Sequence, residues 1–125
     1  MEHYPSWYWK NGLHDAKILS VNESGIPIDW KGYKKGENLV LNCLAITLDA
    51  SGAYESDITE ILIYGYKINH ADFDLAEKSG NLWWLGDTLS RQQDSKFNLK
   101  IYFVDIKNNE YTLDVSFVRA EVKRR

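Results

Sequence analysis

"KFNLKIYFVDI" at Lys96–Ile106, "KNNE" at Lys107–Glu110 and "YTLDVSFVRAEVKR" at Tyr111–Arg124 decide the fold of this chain. Apolar residues recur at every second position, so Phe97, Leu99, Ile101 and Phe103 share one face of a strand. Tyr111, Leu113, Val115 and Phe117 can form the matching face of a partner strand. A short Asn-Asn turn between the two runs predicts a β-hairpin. After Phe117 the apolar phase slips to Val118, Ala120 and Val122. One extra residue opposite its partner produces such a slip, which predicts a β-bulge near Phe117–Val118.

Working outward, the other apolar runs are also strand-like. "NLVLNCLAITLDA" (Asn38–Ala50) is apolar in both phases, the pattern of a strand covered on two sides. "DITEILIYGYKI" (Asp57–Ile68) reads as a second central strand and "LHDAKILSV" (Leu13–Val21) as a first strand. "NLWWLGDTLSRQQ" lies between a strand and an irregular edge, and its Trp and Thr content favours the strand. "IDWKGYKKGEN" reads as an exposed loop or hairpin tip. "HADFDLAEKSGN" (His70–Asn81) is the one helical segment, with acids in its first turn and Gly80 placed for a left-handed cap. These elements predict a mainly β chain: an antiparallel sheet or sandwich of about six strands with one short helix.

The 125 residues suffice for one domain, 1–125. The composition is 44% hydrophobic and 26% charged, with five Trp and eight Tyr, an aromatic excess suited either to a large β core or to an interface. Net charge is −3, divided as −4 over residues 1–60 and +1 over residues 61–125. That bias argues against bare nucleic acid as a partner, because phosphates require a positive footprint. No apolar run approaches a membrane span or a signal peptide. Cys43 is the one cysteine, so an internal disulfide is impossible, and a reducing, cytoplasmic location is expected. In the middle of an apolar strand, Cys43 is expected to be a small hydrophobe with a raised pKa rather than a nucleophile.

Chemistry-bearing residues fall in three places. His14 and Asp15 are adjacent, but on a strand successive side chains point to opposite faces, which rules them out as a dyad. "NHADFD" brings His70, Asp72 and Asp74 close in sequence, and with His14 they could build an oxygen-rich metal site of a small hydrolase. Against this, Asp72 and Asp74 at a helix start would cap orphan amides. The aromatics Trp7, Tyr8, Trp9, Trp30, Tyr33, Trp83 and Trp84 form three clusters. Each could anchor a protein or a sugar, while the N-terminal one could instead plug an open end of the sheet. Glycine-rich phosphate loops, serine elbows and H-E-x-x-H are absent. No catalytic residue, metal or cofactor is assigned.

Trp9 followed by "LHDAKI" at Leu13–Ile18 resembles the opening of a family of bacterial immunity proteins from polymorphic-toxin systems. The closing pattern of apolar strand, polar turn and apolar strand is similar to that family as well. Lys17 stands where an acid is more usual there. The resemblance implies a small cytosolic β-rich protein that binds a toxin domain and covers its active site, without catalysis. The partner-binding residues expected on this reading are Trp9, His14, Asp15, Trp30, Asp72 and Asp74. A metal-assisted hydrolase and a structural or carbohydrate-binding β module are the alternatives.

Overall fold

The computed structural model describes residues 4–10, 12–24, 42–73, 80–92 and 96–125. Within them eight strands form one antiparallel sheet: β1 Lys17–Ser24, β2 Cys43–Asp49, β3 Ile58–Tyr64, β4 Lys67–Ala71, β5 Leu82–Arg91, β6 Phe97–Val104, β7 Glu110–Phe117 and β8 Arg119–Arg124. Their order is β4-β7-β6-β5-β1-β2-β3-β8. The two end strands are joined by chain to strands on the opposite side: β4 follows β3 after Gly65 and Tyr66, and β8 follows β7 after Val118. The β3–β4 arm therefore runs beside the β7–β8 arm, and the Val118 amide donates to the Tyr64 carbonyl at 3.0 Å across both breaks. The open sheet is thus strongly curled. Its thinnest junction is β1–β5, where the register holds for Lys17↔Trp83 and Ile18↔Leu82.

The hairpin read from the sequence is present with its two apolar faces matched, although its connection runs over residues 105–109 rather than a short Asn-Asn turn. Phe97 faces Phe117, Leu99 faces Val115, Ile101 faces Leu113 and Phe103 faces Tyr111. Asp105 organises its tip. One carboxylate oxygen accepts from the Lys107 and Asn109 amides, both at 2.9 Å, and Asn108 takes φ 64°. These bonds hold the Asp105 carboxyl below its ordinary pKa. The slip after Phe117 is present, but as a break between strands rather than the expected bulge: Val118 separates β7, paired with β6, from β8, paired with β3, and Ala120 returns to the buried face.

Several expectations are corrected. Eight strands replace six, because Asp57–Ile68 is broken at Gly65–Tyr66 and the closing run is broken at Val118. The first strand begins at Lys17 rather than Leu13, and His14 and Asp15 lie in a turn. Among the described residues there is no helix. His70 and Ala71 belong to β4, and the Asp72 carboxylate accepts from the Thr112 amide at 2.7 Å, prolonging strand pairing instead of opening a helix. Residues 74–79 of the predicted helix lie outside the described residues, as do Trp30, Asp74, the 31–38 loop and residues 38–41 of the predicted second strand. On β2, Leu44, Ile46 and Leu48 are buried while Cys43, Ala45 and Thr47 are half-buried, so one face carries most of the core. Cys43 opens β2 and is half-buried on the face opposite Leu44, rather than buried in the middle of a strand as expected, and the burial it has pushes its thiol up.

Curling has a visible cause. Register shifts leave one extra residue at Leu19 in β1, Thr59 in β3, Asn69 in β4 and Leu85 in β5. Each bulge bends its strand and adds right-handed twist. Leu19 and Leu85 are exposed because they are these extra residues, turned away from the core that their neighbours Ile18 and Trp84 enter. The inner face buries Ile18, Leu44, Ile46, Ile61, Ile63, Leu99, Ile101, Leu113, Val115 and Phe117 in one cluster. Among the described residues no helix is long and apolar enough to cross a membrane.

Candidate functional site

The N-terminal segment is folded onto the curled sheet as a plug. A turn closes Pro5–Tyr8 and a second closes Trp9–Gly12, each through an amide–carbonyl bond, at 3.1 and 2.9 Å. Trp7 meets Phe97 and Phe117 edge-on or tilted at 5.6 and 5.9 Å between ring centroids, and Trp9 meets Trp84 edge-on at 5.4 Å. Trp9 is 2% exposed. Of the two roles weighed for the N-terminal aromatics, plugging the sheet is the one this packing serves, and it places Trp9 beneath the surface.

One carboxylate fastens the plug. The bulge at Leu85 shifts the phase of β5, so Asp87 lies opposite the fully buried Ile101 and faces the interior. Its Oδ2 accepts from the indole N–H groups of Trp9 at 2.7 Å and Trp84 at 2.9 Å. Its Oδ1 accepts from the Tyr8 hydroxyl at 2.5 Å. A half-buried carboxylate among aromatic rings is stabilised by such donors, and charge-assisted bonds are the strong ones. Burial, and then the Asp87 bond and charge, push the Tyr8 phenol far above its ordinary pKa. The folded state therefore favours neutral Tyr8, and its contribution is complete below the unfolded tyrosine pKa of about 10 and declines as pH rises beyond it. Alkaline titration followed by circular dichroism is expected to show unfolding setting in above that pH, with a shallower pH dependence in Tyr8→Phe.

The chain then makes the turn Leu13–Ala16, closed by the Ala16 amide on the Leu13 carbonyl at 2.9 Å. Leu13 and Ala16 are fully buried and hold the turn down. Asp15 takes φ 74°, the left-handed conformation of the third residue of a type II turn, which Asp tolerates better than most residues. Its amide donates to the Trp84 carbonyl at 2.9 Å. This geometry corrects the strand-based exclusion of the dyad: His14 Nδ1 lies 3.2 Å from Asp15 Oδ2. The pair is 58% and 68% exposed, which makes it a surface contact of small energetic weight.

Beside the plug lies a cleft of about 330 Å³ whose walls include Tyr4, Tyr8, Trp9, Tyr54, Glu55 and Arg124. Tyr54 is 91% exposed on the β2–β3 loop. That loop is tied down by the Glu55 amide on the Gly12 carbonyl at 2.8 Å. Arg124 donates to Glu55 at 3.0 Å and to Asp57 at 2.7 Å, and these partners raise its pKa. A methyl group on Gly12 would lie 2.4 Å from Glu55 Cγ and 2.8 Å from the Trp9 carbonyl oxygen. Gly12→Ala is accordingly expected to lower stability by about 1–3 kcal/mol, measured by urea unfolding.

Trp9, His14 and Asp15 thus come together at the plugged end, one under the surface and two on it. Asp72 and His70 lie on the β4 arm, both exposed. Trp84 is buried and Trp83 half-buried with the Lys17 ammonium 5.5 Å from its ring. Among the described residues no three His, Cys, Asp or Glu side chains gather to hold a metal ion. Reading the sequence missed Asp87, Tyr54, Glu55 and Gly12. Gly86 inside a strand pattern was the available signal, since such a glycine marks a bulge and a bulge would have turned Asp87 inward. No family model matches the chain, and the searches of curated proteins and of solved structures likewise return no match.

Proposed function

We propose that this chain is a non-enzymatic protein-binding domain of the immunity type, which neutralises a toxin domain by covering its active site with the plugged end of the sheet. The observation that carries the proposal is Tyr54, a large aromatic side chain almost fully in solvent beside a cleft whose walls include the buried Tyr8 and Trp9. Exposed aromatics on a rigid support are the usual anchors of protein interfaces, since they bury much area with little loss of side-chain freedom. Asp15, Glu55 and Asp57 stand around this end, and the −4 charge of residues 1–60 would steer it toward a basic partner surface.

A tagged chain expressed in its native host is expected to capture one toxin-like domain, and the purified pair to bind with nanomolar affinity and abolish the toxin's activity. Tyr54→Ala is expected to weaken that binding by roughly 2 kcal/mol or more in titration calorimetry while leaving the unfolding midpoint unchanged. Failure to find any partner whose activity the chain suppresses, or unchanged binding by Tyr54→Ala, would sink this reading.

A further inference from the structure

The walls of the cleft beside the plug combine aromatic residues, Tyr4, Tyr8, Trp9 and Tyr54, with the acid Glu55. Tyr4 and Tyr8 meet at 4.9 Å between ring centroids and Tyr8 and Trp9 at 5.1 Å, so these rings form one cluster. Tyr8 and Trp9 are its buried base, while Tyr4 is 42% and Tyr54 91% exposed. An aromatic face is the negative part of a quadrupole and attracts a cation. Asp87 adds to this attraction. Its carboxylate accepts from the Tyr8 hydroxyl and the Trp9 indole, and donor bonds to an anion push electron density back onto the rings.

The charges around the cleft favour the same sign of occupant. Arg124 lines it, but its guanidinium is bonded to Glu55 Oε2 at 3.0 Å and to Asp57 Oδ1 at 2.7 Å. Lys10 also lines it and is exposed, where solvent and salt screen it. Against these two cations stand three carboxylates, those of Glu55, Asp57 and, behind the rings, Asp87. An aliphatic occupant would cover Glu55 and Arg124 without replacing their water. A flat cation stacks on a ring and pairs with a carboxylate at once. Guanidinium has that form, whereas an ammonium is a compact, strongly hydrated point charge. The volume of about 330 Å³ is at the small end for ligand sites and suits a single side chain. We propose that this cleft receives an arginine side chain of the partner protein, with the guanidinium stacked on Tyr54 and paired with Glu55. This role for the cleft rests on the reading of the plugged end as a partner-binding surface.

The test needs no partner protein. The isotope-labelled full chain is titrated at constant ionic strength with the Nα-acetyl amides of arginine, citrulline, lysine and glutamate, and backbone amide shifts are followed by NMR. Saturable shifts at Ala53, Tyr54 and Glu55 are expected with the arginine compound at millimolar concentration. Citrulline keeps the shape of arginine without its charge, and it, lysine and glutamate are each expected to bind at least about fivefold more weakly. Tyr54→Leu removes the ring and Glu55→Gln removes the charge. Each, with an unchanged unfolding midpoint, is expected to weaken the arginine compound by about threefold or more. The inference is overturned if the arginine compound does not saturate, if any of the other three binds as tightly, or if Tyr54→Leu binds it unchanged. Saturation by arginine in a chain that captures no toxin domain removes the immunity reading alone. A captured toxin domain without such saturation removes only the arginine pocket.

Discussion

Asp87→Leu is expected to lower the stability of the fold by about 3 kcal/mol, because three donors lose their acceptor at once. The Trp9 and Trp84 indoles and the Tyr8 hydroxyl all end on this carboxylate. Leucine suits the apolar neighbours of the site, including Ile101 across the strand pair, and this offsets part of the loss. It cannot hydrogen-bond, so the indole N–H groups of Trp9 and Trp84, residues 2% and 1% exposed, lose their acceptor. Asp87→Asn keeps one acceptor oxygen but turns an amino group toward the donors, and an intermediate loss of about 1–2 kcal/mol is expected. Urea unfolding with unchanged slope measures both. A change in Asp87→Leu within about 0.5 kcal/mol would mean that the plug is not fastened through this carboxylate.

Trp9→Ala is expected to cost about 3–5 kcal/mol, the range for removing a large aromatic from a packed core. It deletes the edge-on contact with Trp84, the tilted contacts with Trp7 and Tyr8, and one bond to Asp87. Trp9→Phe restores most of the volume without the N–H, and a smaller loss of about 1–2 kcal/mol is expected. In the Asp87→Leu background the Trp9→Phe change should cost much less than in the parent, since the bond it removes is already gone. This pattern separates a core anchor from a binding residue. Were Trp9 a surface anchor for a partner, Trp9→Ala would leave the unfolding midpoint in place and act on binding alone.

These two residues also bear on the shape of the proposed binding end. Trp9 and Tyr8 are walls of the cleft and Asp87 is the group that holds them, while the turn bearing His14 and Asp15 is anchored to the Trp84 backbone. A surface assembled from one short segment and one loop keeps its shape only if both are fixed. Gly12 and Asp87 fix them, the first by letting the loop carrying Glu55 approach and the second by fastening the rings.

What the sequence determined by itself is the β character, the hairpin with its two apolar faces, and the phase slip after Phe117. Each depends on alternation along one or two adjacent segments, a local pattern that side-chain geometry translates directly into a face. The conformation of His14–Asp15, the strand at His70–Ala71, the inward turn of Asp87 and the cleft at Tyr54 were decided by the tertiary structure. His14–Asp15 forms a turn because Leu13 and Ala16 are both drawn into the core and the Asp15 amide finds the Trp84 carbonyl. His70 and Ala71 extend because β7 offers them partners, which outweighs a weak helical preference. Asp87 enters the core because a bulge two residues earlier reverses its phase, and it is stable there only because donors from a segment nearly eighty residues away arrive to meet it. Such contacts join residues far apart in the chain, and no local pattern encodes them.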